Sequence, residues 1–347
     1  MDFYMSETQP IIAVLGGGSF GTAIANIASE FGVKTYLWMR SEDAVKEIIQ
    51  TRENAKYLPD LILHENLIPT TSLEDAIQHA EIIFFAIPSK SFRSVVEGAK
   101  SFIRPDQYIV STTKGIEPGT LNLMSDILHS ELPSCPYGVM GGPNLAKEIA
   151  RRELTATVIA SEHSGLRNAV QDVLGCTYFR VYASADVYGV ELGGALKNIY
   201  AIMAGIVAAK GLGENTVAML LTRSLAEMGR FAQHQGANPL TFLGLAGVGD
   251  LIATCSSPLS RNYRVGFAFG SGKTLEEAVE ELGEVAEGVN TMAQVKRFAD
   301  ENEIYMPLVQ GLYQMIYNKV PLSLVIEKLM SGEQNTDVEF TLSKEDV

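Results

Sequence analysis

A glycine-rich run near the start of the chain has the residue types and spacing that bind a dinucleotide. Gly16, Gly18 and Gly21 form a G-x-G-x-x-G pattern that follows an apolar run and opens a segment of small residues. The first glycine permits a tight turn, the second lets a pyrophosphate approach the backbone, and the third allows close packing. A glycine turn without a ligand would share the pattern, but strand, motif and helix in register favour a cofactor.

The residue at the end of the second apolar run bears on which dinucleotide binds. An acidic residue there would hold the ribose 2′-hydroxyl of NAD, but the chain has Arg40, with Glu42 and Asp43 close behind. The Arg40 guanidinium can pair with a 2′-phosphate. We therefore expect NADP(H) or NAD(H), and an exposed cation at a helix start is the alternative interpretation of Arg40.

Two lysines have positions suited to proton transfer or anion binding. Lys114 follows the apolar run 108–112, so we expect it at the carboxyl end of a sheet strand, where doubly wound folds bind ligands. Lys197 lies within the apolar stretch 187–209, on the same helical side as Gly193 and Gly194. These glycines predict room for a ligand beside a buried amine. A surface lysine is the alternative at Lys114 and a snorkelling lysine at Lys197.

Two further clusters offer groups for an anionic substrate. Residues 141–146, GGPNLA, form a second glycine turn before a helix, which suits backbone contact with a ligand. Asp250 can pair with an ammonium, and the run Ser260, Arg261, Asn262 offers a hydroxyl, a guanidinium and an amide to phosphate oxygens. A structural turn and a salt-bridged loop are the alternatives. No histidine has metal-ligand spacing and no G-x-S-x-G is present, so we predict no metal.

The elements that must position these residues fall into two regions. Strand-like and helix-like runs alternate in the first half, which predicts a parallel doubly wound sheet, and after about residue 183 the apolar spacing is helical. The predicted strands are 11–16, 34–39, 81–87, 108–112, 137–140 and 155–160. The predicted domains are a polar leader (1–9), a dinucleotide-binding Rossmann domain (10–186), a helical substrate domain (187–330) and an acidic flexible tail (331–347).

Composition and charge narrow the class of protein. The chain has 347 residues with 46% hydrophobic and 20% charged, which fits a folded protein of two domains. Its formal net charge of −14 disfavours nucleic acid and anionic membranes as partners. Three scattered cysteines give no disulfide framework. A lysine inside the apolar stretch 187–209 favours a core helix over a membrane span, so we expect a cytoplasmic protein without a membrane anchor.

Nine segments in order resemble the bacterial-type NAD(P)-dependent glycerol-3-phosphate dehydrogenases, over roughly residues 11–330. They are GGGSFGTA, LWMR, STTKGIE, GGPNLAKE, ELGGALKNIYAI, GLGENTVAMLLTRSLAEM, GLAGVGDLIATC, SRNYRVG and VAEGVNT. The resemblance implies a Rossmann-type sheet followed by a helical domain like the C-terminal domain of 6-phosphogluconate dehydrogenase. It also implies reversible reduction of dihydroxyacetone phosphate to sn-glycerol 3-phosphate for glycerophospholipid synthesis. Soluble dehydrogenases of this size commonly dimerise, so we also expect a homodimer.

The resemblance also implies a role for each matching residue. Lys197 corresponds to the proton acceptor for the substrate hydroxyl, or the donor to the alkoxide in the reducing direction, and we expect Asp250 to orient its ammonium. The other implied substrate ligands are Lys114, Gly142, Asn144, Asp250, Ser260, Arg261 and Asn262. The implied cofactor contacts, beyond the three glycines, are Ser19, Phe20, Arg40, Lys114, Ala146, Arg261, Val285 and Glu287.

Two positions depart from the family pattern, and two other functions remain open. Gly141 and Asn144 stand where the family often has hydroxyl residues. A 3-hydroxyacid or ketopantoate-type dehydrogenase would have the same fold, although Ser260, Arg261 and Asn262 favour a phosphate substrate. A cofactor-binding sensor without turnover would have no reason to retain Lys114, Lys197 and Asp250 together.

Overall fold

The computed structural model describes residues 10–282 and 286–331. The chain divides into two compact units. Unit 1 takes in the residues up to Glu117 and Asn122–Glu191, and unit 2 takes in Pro118–Leu121 and the residues from Leu192 on. The expectations for the leader at 1–9, and for all of the tail but Ser331, lie outside the described residues.

Unit 1 is built on one eight-stranded sheet. Its strands are β1 (Ile12–Leu15), β2 (Thr35–Trp38), β3 (Leu67–Thr70), β4 (Ile82–Phe85), β5 (Tyr108–Ser111), β6 (Tyr137–Gly141), β7 (Thr155–Ala160) and β8 (Phe179–Ser184). Its helices are α1 (Ser19–Glu30), α2 (Glu42–Thr51), α3 (Leu73–Ile77), α4 (Ser89–Ala99), α5 (Met124–Glu131), α6 (Ala146–Ala150) and α7 (Ser164–Leu174). The strand order is β3-β2-β1-β4-β5-β6-β7-β8.

Both faces of the sheet are buried, because successive side chains of a strand point to opposite faces. In β1, Ile12 and Val14 join one core cluster, which includes Ile24 of α1. Ala13 and Leu15 join the other cluster, which includes Phe92 of α4. Helices therefore cover the sheet on two sides, and this confirms the predicted doubly wound fold class.

The prediction of a fully parallel sheet is wrong at β7, which pairs antiparallel with β6. Only the five-residue α6 joins these two strands. At about 1.5 Å per residue a helix of this length spans about 8 Å, roughly half the length of a five-residue strand. The helix between these strands therefore covers only about half of the strand length, and the chain returns along β7 in the opposite direction.

The edge strands β3 and β8 lie in segments where the sequence analysis assigns no strand. Pro69 sits inside β3, and proline is tolerated only because β3 is at the edge of the sheet. In β8 the side chains of Arg180 and Tyr182 are exposed. Half-exposed edge strands lack the long apolar runs that mark the central strands, which explains why they were missed.

From Val187 on, the described residues form helices and no strand. The α-helices are α8 (Val187–Ala209), α9 (Glu214–His234), α10 (Asp250–Ser256), α11 (Arg261–Gly270), α12 (Leu275–Leu282), α13 (Glu287–Glu301), α14 (Pro307–Tyr317) and α15 (Leu322–Met330). A 3₁₀ turn covers Pro239–Leu243 and a π-helical turn covers Leu245–Gly249. This confirms the predicted helical second region.

Helix α8 is long and apolar enough to cross a membrane by length and composition. Protein buries 89% of its most apolar window, as expected for the core helix of a soluble protein. Its Lys197 is also buried. The prediction of a core helix in this segment agrees with this burial.

The buried Glu227 of α9 caps the N-terminus of α14. Its carboxylate accepts the N–H of Leu308 at 2.5 Å and the N–H of Val309 at 3.3 Å, and the Tyr200 hydroxyl donates to it at 3.2 Å. Pro307 at the first position of α14 has no N–H to satisfy. Burial raises the pKa of the Glu227 carboxyl to about 7, against the hydrogen bonds that lower it.

The raised pKa of Glu227 predicts a pH-dependent contribution to stability. The folded protein binds this proton more tightly than the unfolded chain, whose ordinary value is 4.5. The free energy of unfolding therefore falls as pH rises from about 4.5 to about 7. Glu227→Gln has no proton to lose there, so we expect its free energy of unfolding, relative to that of the wild type, to rise between pH 5 and pH 8 by about 3 kcal/mol at most. Differential scanning calorimetry measures this difference.

A matched control is Glu276→Gln, which removes an exposed carboxylate of α12. Buried groups common to all three proteins, such as Glu191 with a pKa raised to about 8 by burial, cancel in the comparison. A difference in the free energy of unfolding between Glu227→Gln and wild type that stays constant across the pH range would contradict the prediction.

Candidate functional site

Two of the three glycines in the first motif are required by close backbone packing. Gly16 follows β1 with a φ of +124°, and a Cβ there would lie 2.3 Å from the carbonyl oxygen of Ala86. A Cβ at Gly21 would lie 2.0 Å from the carbonyl oxygen of Gly16. No side chain fits at either position. These two glycines therefore form the tight turn and bring α1 against the end of β1.

Gly18 differs, because its surroundings are open. It has a φ of −75°, which any residue adopts, and no heavy atom lies within 4 Å of the place where its Cβ would be. Neither the backbone nor the packing requires glycine here. Gly18 directly precedes α1, whose first helical residues are Ser19 and Phe20. The turn therefore fits a group that must approach the backbone closely, as a pyrophosphate does.

Arg40 lies two residues beyond β2 and is exposed. Within residues 10–282 and 286–331 its guanidinium forms no ion pair. The next residue, Ser41, caps α2 by accepting the N–H of Ala44 at 3.2 Å. Arg40 is thus displayed at the carboxyl edge of the sheet, beside β1 and its glycine turn.

Lys114 and the second glycine turn are brought together at the ends of β5 and β6. The Lys114 ammonium donates to the carbonyl oxygen of Gly142 at 2.6 Å. Gly142 has a φ of +113°, so the turn needs glycine. The Asn144 amide donates to Thr157 at 2.9 Å, but its Oδ1 is buried and has no hydrogen-bond partner in the described chain. A buried acceptor of this kind is suited to a ligand hydroxyl or amide.

The loop that carries Lys114 is held by a side chain that the sequence analysis did not identify. Arg93 of α4 binds both carboxylate oxygens of Glu117, at 2.6 and 3.1 Å. Asn122 donates to the same carboxylate at 3.0 Å, and the N–H of Glu117 donates to the Asn122 carbonyl. A bidentate pair fixes geometry as well as charge. Arg93 and Glu117 meet only in the folded structure, so no local signal in the sequence predicts their contact.

Lys197 of α8 is buried together with an acid and a hydroxyl in unit 2. Its ammonium donates to Asp250 Oδ1 at 2.5 Å, and the two side chains are 7% and 1% exposed. It also donates to the Thr254 hydroxyl, which lies 3.3 Å from the same Asp250 oxygen. A buried ammonium requires such compensation. The sequence analysis paired Asp250 with an ammonium but gave Thr254 no role.

The prediction that Gly193 leaves room for a ligand is wrong. A Cβ at Gly193 would lie 2.6 Å from the carbonyl oxygen of Ala246, so the space is filled by the π-helical turn. Asp250 follows that turn directly. The close approach of two backbones one helical turn before Lys197 brings Asp250 to the ammonium. Gly193 therefore permits the close backbone contact that brings Asp250 to Lys197, and it does not leave space for a ligand.

A second polar chain starts at the residue after Lys197. The Asn262 amide donates to Asn198 Oδ1 at 2.9 Å, and Asn262 Oδ1 accepts the N–H of Gly288 at 2.9 Å. Ser260 caps α11 by accepting the N–H of Tyr263 at 3.3 Å. Arg261 and Glu287 are the first residues of α11 and α13. Val285 lies outside the described residues.

Cysteine and metal chemistry have little support in the described chain. Cys255 is buried next to the ion pair, and burial raises the pKa of its thiol to about 12, so the thiol is neutral. No group of three or more His, Cys, Asp or Glu side chains in the described residues could hold a metal ion.

Two family profiles match most of the chain. The profile described as the NAD-dependent glycerol-3-phosphate dehydrogenase N-terminus matches residues 11–166. The profile for the C-terminus of the same enzyme matches residues 186–327. The Rossmann-type sheet and the helical region therefore correspond to its two parts.

Individual relatives agree with the profiles. A glycerol-3-phosphate dehydrogenase [NAD(P)+] of Ectopseudomonas mendocina (strain ymp) is 56% identical over 336 residues, which cover 97% of this chain and 98% of the relative. The crystal structure of glycerol-3-phosphate dehydrogenase from Coxiella burnetii superposes with a TM-score of 0.89 at 35% identity, covering 93% of this chain and 99% of that one.

A more distant likeness concerns the alternative substrate class. A ketopantoate reductase structure from Ralstonia eutropha JMP134 has a TM-score of 0.56 at 15% identity, covering 92% of this chain and 99% of that one. Such a likeness shows a shared fold alone. The predicted family, enzyme class and use of NAD or NADP are confirmed instead by the profiles and the relative at 56% identity. The chain belongs to the NAD-dependent glycerol-3-phosphate dehydrogenase family.

Proposed function

We propose that this chain interconverts dihydroxyacetone phosphate and sn-glycerol 3-phosphate with NADH or NADPH, and that the product serves glycerophospholipid synthesis. The observation that carries the site assignment is the buried Lys197 ammonium, held at 2.5 Å by Asp250. A buried charge of this kind is costly and marks functional sites. Family membership supplies the substrate, and the ion pair supplies the group that handles its proton.

Lys197 is the proton donor when the ketone is reduced, and the proton acceptor in the reverse direction. The Asp250 carboxylate favours the charged ammonium, so Nζ carries the proton that the new alkoxide oxygen needs. Thr254 and Asp250 fix the direction of the N–H bonds, because each accepts from Nζ. Reduced nicotinamide, when bound, supplies the hydride.

The proposed substrate contacts are the residues that the family resemblance implies. Among them are Lys114, Gly142 and Asn144, and the orphan Oδ1 of Asn144 supports a contact with a ligand donor. Ser260, Arg261 and Asn262 are the proposed phosphate ligands, and Lys197 and Asp250 complete the set. Asn262 is supported by its chain to Asn198, which directly follows Lys197 in α8.

Most of the proposed cofactor contacts belong to the first region. Gly16, Gly18 and Gly21 shape the turn, and Ser19 and Phe20 offer their N–H groups at the start of α1. The other proposed cofactor contacts are Arg40, Lys114, Ala146, Arg261, Val285 and Glu287. In domain terms, residues 10–186 bind the dinucleotide and residues 187–330 bind the substrate and supply the lysine.

We further propose that the protein works in the cytoplasm as a homodimer. The burial of α8, the long apolar helix found among the described residues, supports a protein without a membrane anchor. Two-fold dimers are the commonest soluble oligomers, and sedimentation equilibrium of the purified chain decides the oligomeric state.

Purified protein should oxidise NADPH or NADH when dihydroxyacetone phosphate is added, measured by the loss of reduced-nicotinamide absorbance. Lys197→Ala should lower kcat by about a hundredfold or more, the scale of acid–base catalysis. Lys273→Ala is the matched control, because Lys273 is exposed and pairs with Glu281. If the wild type binds NADPH but does not oxidise NADPH or NADH when dihydroxyacetone phosphate is added, the proposed substrate is wrong. The chain would then act on another hydroxyacid or serve as a cofactor-binding sensor.

Gly18→Ala should separate cofactor binding from folding. A methyl group fits the open space at Gly18, so we expect an unchanged thermal midpoint but a Kd for NADPH raised by about tenfold or more, since the methyl blocks the pyrophosphate. Gly98→Ala is the control, because a Cβ there would meet only Leu73 Cδ1 at 3.8 Å. If calorimetry gives equal Kd values for NADPH with Gly18→Ala and with wild type, the pyrophosphate does not bind at this turn.

Arg40→Ala tests the choice between NADPH and NADH. Loss of a guanidinium that pairs with the 2′-phosphate should raise the KM for NADPH by about tenfold and leave the KM for NADH nearly unchanged. Lys46→Ala, at an exposed cation of α2 that pairs with Glu42, is the control. Equal effects on the KM values for NADPH and NADH would show that Arg40 does not distinguish a 2′-phosphate from a 2′-hydroxyl.

A further inference from the structure

The segment that follows α2 lies against the first glycine turn and is fastened to it by a buried amide. Asn54 is only 4% exposed. Its Nδ2 donates to the carbonyl oxygen of Gly17 at 2.9 Å and to the Thr22 hydroxyl at 2.8 Å. Both amide protons are thus used on the turn and on α1, and Asn54 is outside every motif of the sequence analysis.

The bond to Gly17 controls the direction of the next N–H group. A trans peptide places its C=O and N–H on opposite sides, so the carbonyl of Gly17 and the N–H of Gly18 point in opposite directions. Peptides between glycines rotate with little steric cost. Because Asn54 holds the carbonyl on one side, the Gly18 N–H is aimed at the opposite side.

The segment that carries Asn54 is itself firmly held. The Asn54 carbonyl accepts the N–H groups of Tyr57 at 3.1 Å and Leu58 at 2.9 Å, and Leu58 is buried in the core beside α1. Arg52, with a φ of +58°, donates from its guanidinium to the carbonyls of Leu63, His64 and Leu67. Because this segment is held in place, the hydrogen bond from Asn54 fixes the position of the Gly17 carbonyl in the turn.

A second bond from the segment changes the role of Ser19. Its hydroxyl donates to the carbonyl oxygen of Tyr57 at 3.2 Å. A hydroxyl has a single proton to donate, so in this arrangement the side chain of Ser19 does not donate to a phosphate. The donor that Ser19 offers to the cofactor is therefore its backbone N–H.

We propose that Asn54 is a positioning residue for dinucleotide binding: by holding the Gly17 carbonyl it aims the Gly18 N–H at the pyrophosphate. This inference rests on the proposed use of the glycine turn for NAD(P)H, and it adds a residue that does not itself touch the cofactor. The pyrophosphate is the part of the dinucleotide that depends on Asn54, whereas the 2′-position and the substrate do not.

Asn54→Asp is the test, because aspartate has the same shape but cannot donate to Gly17. The Kd values for NADPH, NADH and ADP-ribose, which share the pyrophosphate, should each rise by about tenfold or more, as expected for the loss of a buried hydrogen bond beside a carbonyl. At saturating NADPH, the KM for dihydroxyacetone phosphate should stay within about twofold of wild type. Calorimetry gives the Kd values without turnover, so they are independent of whether the chain reduces this ketone.

Asn66→Asp is a matched control for a merely structural effect. Asn66 donates its amide at 3.3 Å to the carbonyl of Ser29, near the other end of α1. The same substitution there removes a donor to the same helix, and we expect a lower thermal midpoint with an unchanged Kd for NADPH.

Two results would overturn the proposal. One is a folded Asn54→Asp protein that binds NADPH as tightly as wild type. The other is an equal loss of affinity in Asn66→Asp, which would make the effect one of general stability. If Asn54→Asp does not fold, Asn54→Ala decides in the same way, because alanine also lacks the donor and introduces no charge.

Discussion

The buried ammonium of Lys197 is the constraint on which the arrangement of unit 2 depends. A charge away from water is tolerated only with compensation close at hand, and here Asp250 and Thr254 provide it from one face of α10. Their approach requires that α8 and the π-helical turn touch backbone to backbone, which in turn requires glycine at position 193. The proposed site for proton transfer and a tight helix contact are therefore the same feature of the fold.

Unit 1 presents backbone groups at the carboxyl edge of its sheet. The ends of β1 and β6 both continue into turns that need glycine with positive φ, Gly16 and Gly142. Such turns have no side chains to hold their shape, so neighbouring residues do it. The amide of Asn54 holds the first turn and the ammonium of Lys114 holds the second. Part of the rigidity of both loops therefore comes from residues outside them.

Sequence patterns were sufficient for the central strands, the long helices and the glycine fingerprint, because burial on both faces and helical periodicity leave strong local signals. They were insufficient at β3 and β8, whose edge positions permit proline and exposed side chains. The pairing of Asp250 with an ammonium was expected, whereas Thr254, Arg93 and Asn54 depend on contacts between distant segments. Gly193 was misinterpreted because a helical-wheel position states which side a residue faces but not what fills the space there.

The two packed glycines of the first turn also limit how such an enzyme can diversify. Gly16 and Gly21 each meet a carbonyl oxygen that cannot move without displacing a strand or a helix, so substitution at either position is closed to natural drift and to protein engineering alike. The end of β2 is open by comparison, since Arg40, Glu42 and Asp43 are exposed and their replacement disturbs no core. On the proposed function, changes of cofactor preference in this scaffold can accumulate at the end of β2 while the glycine turn stays invariant.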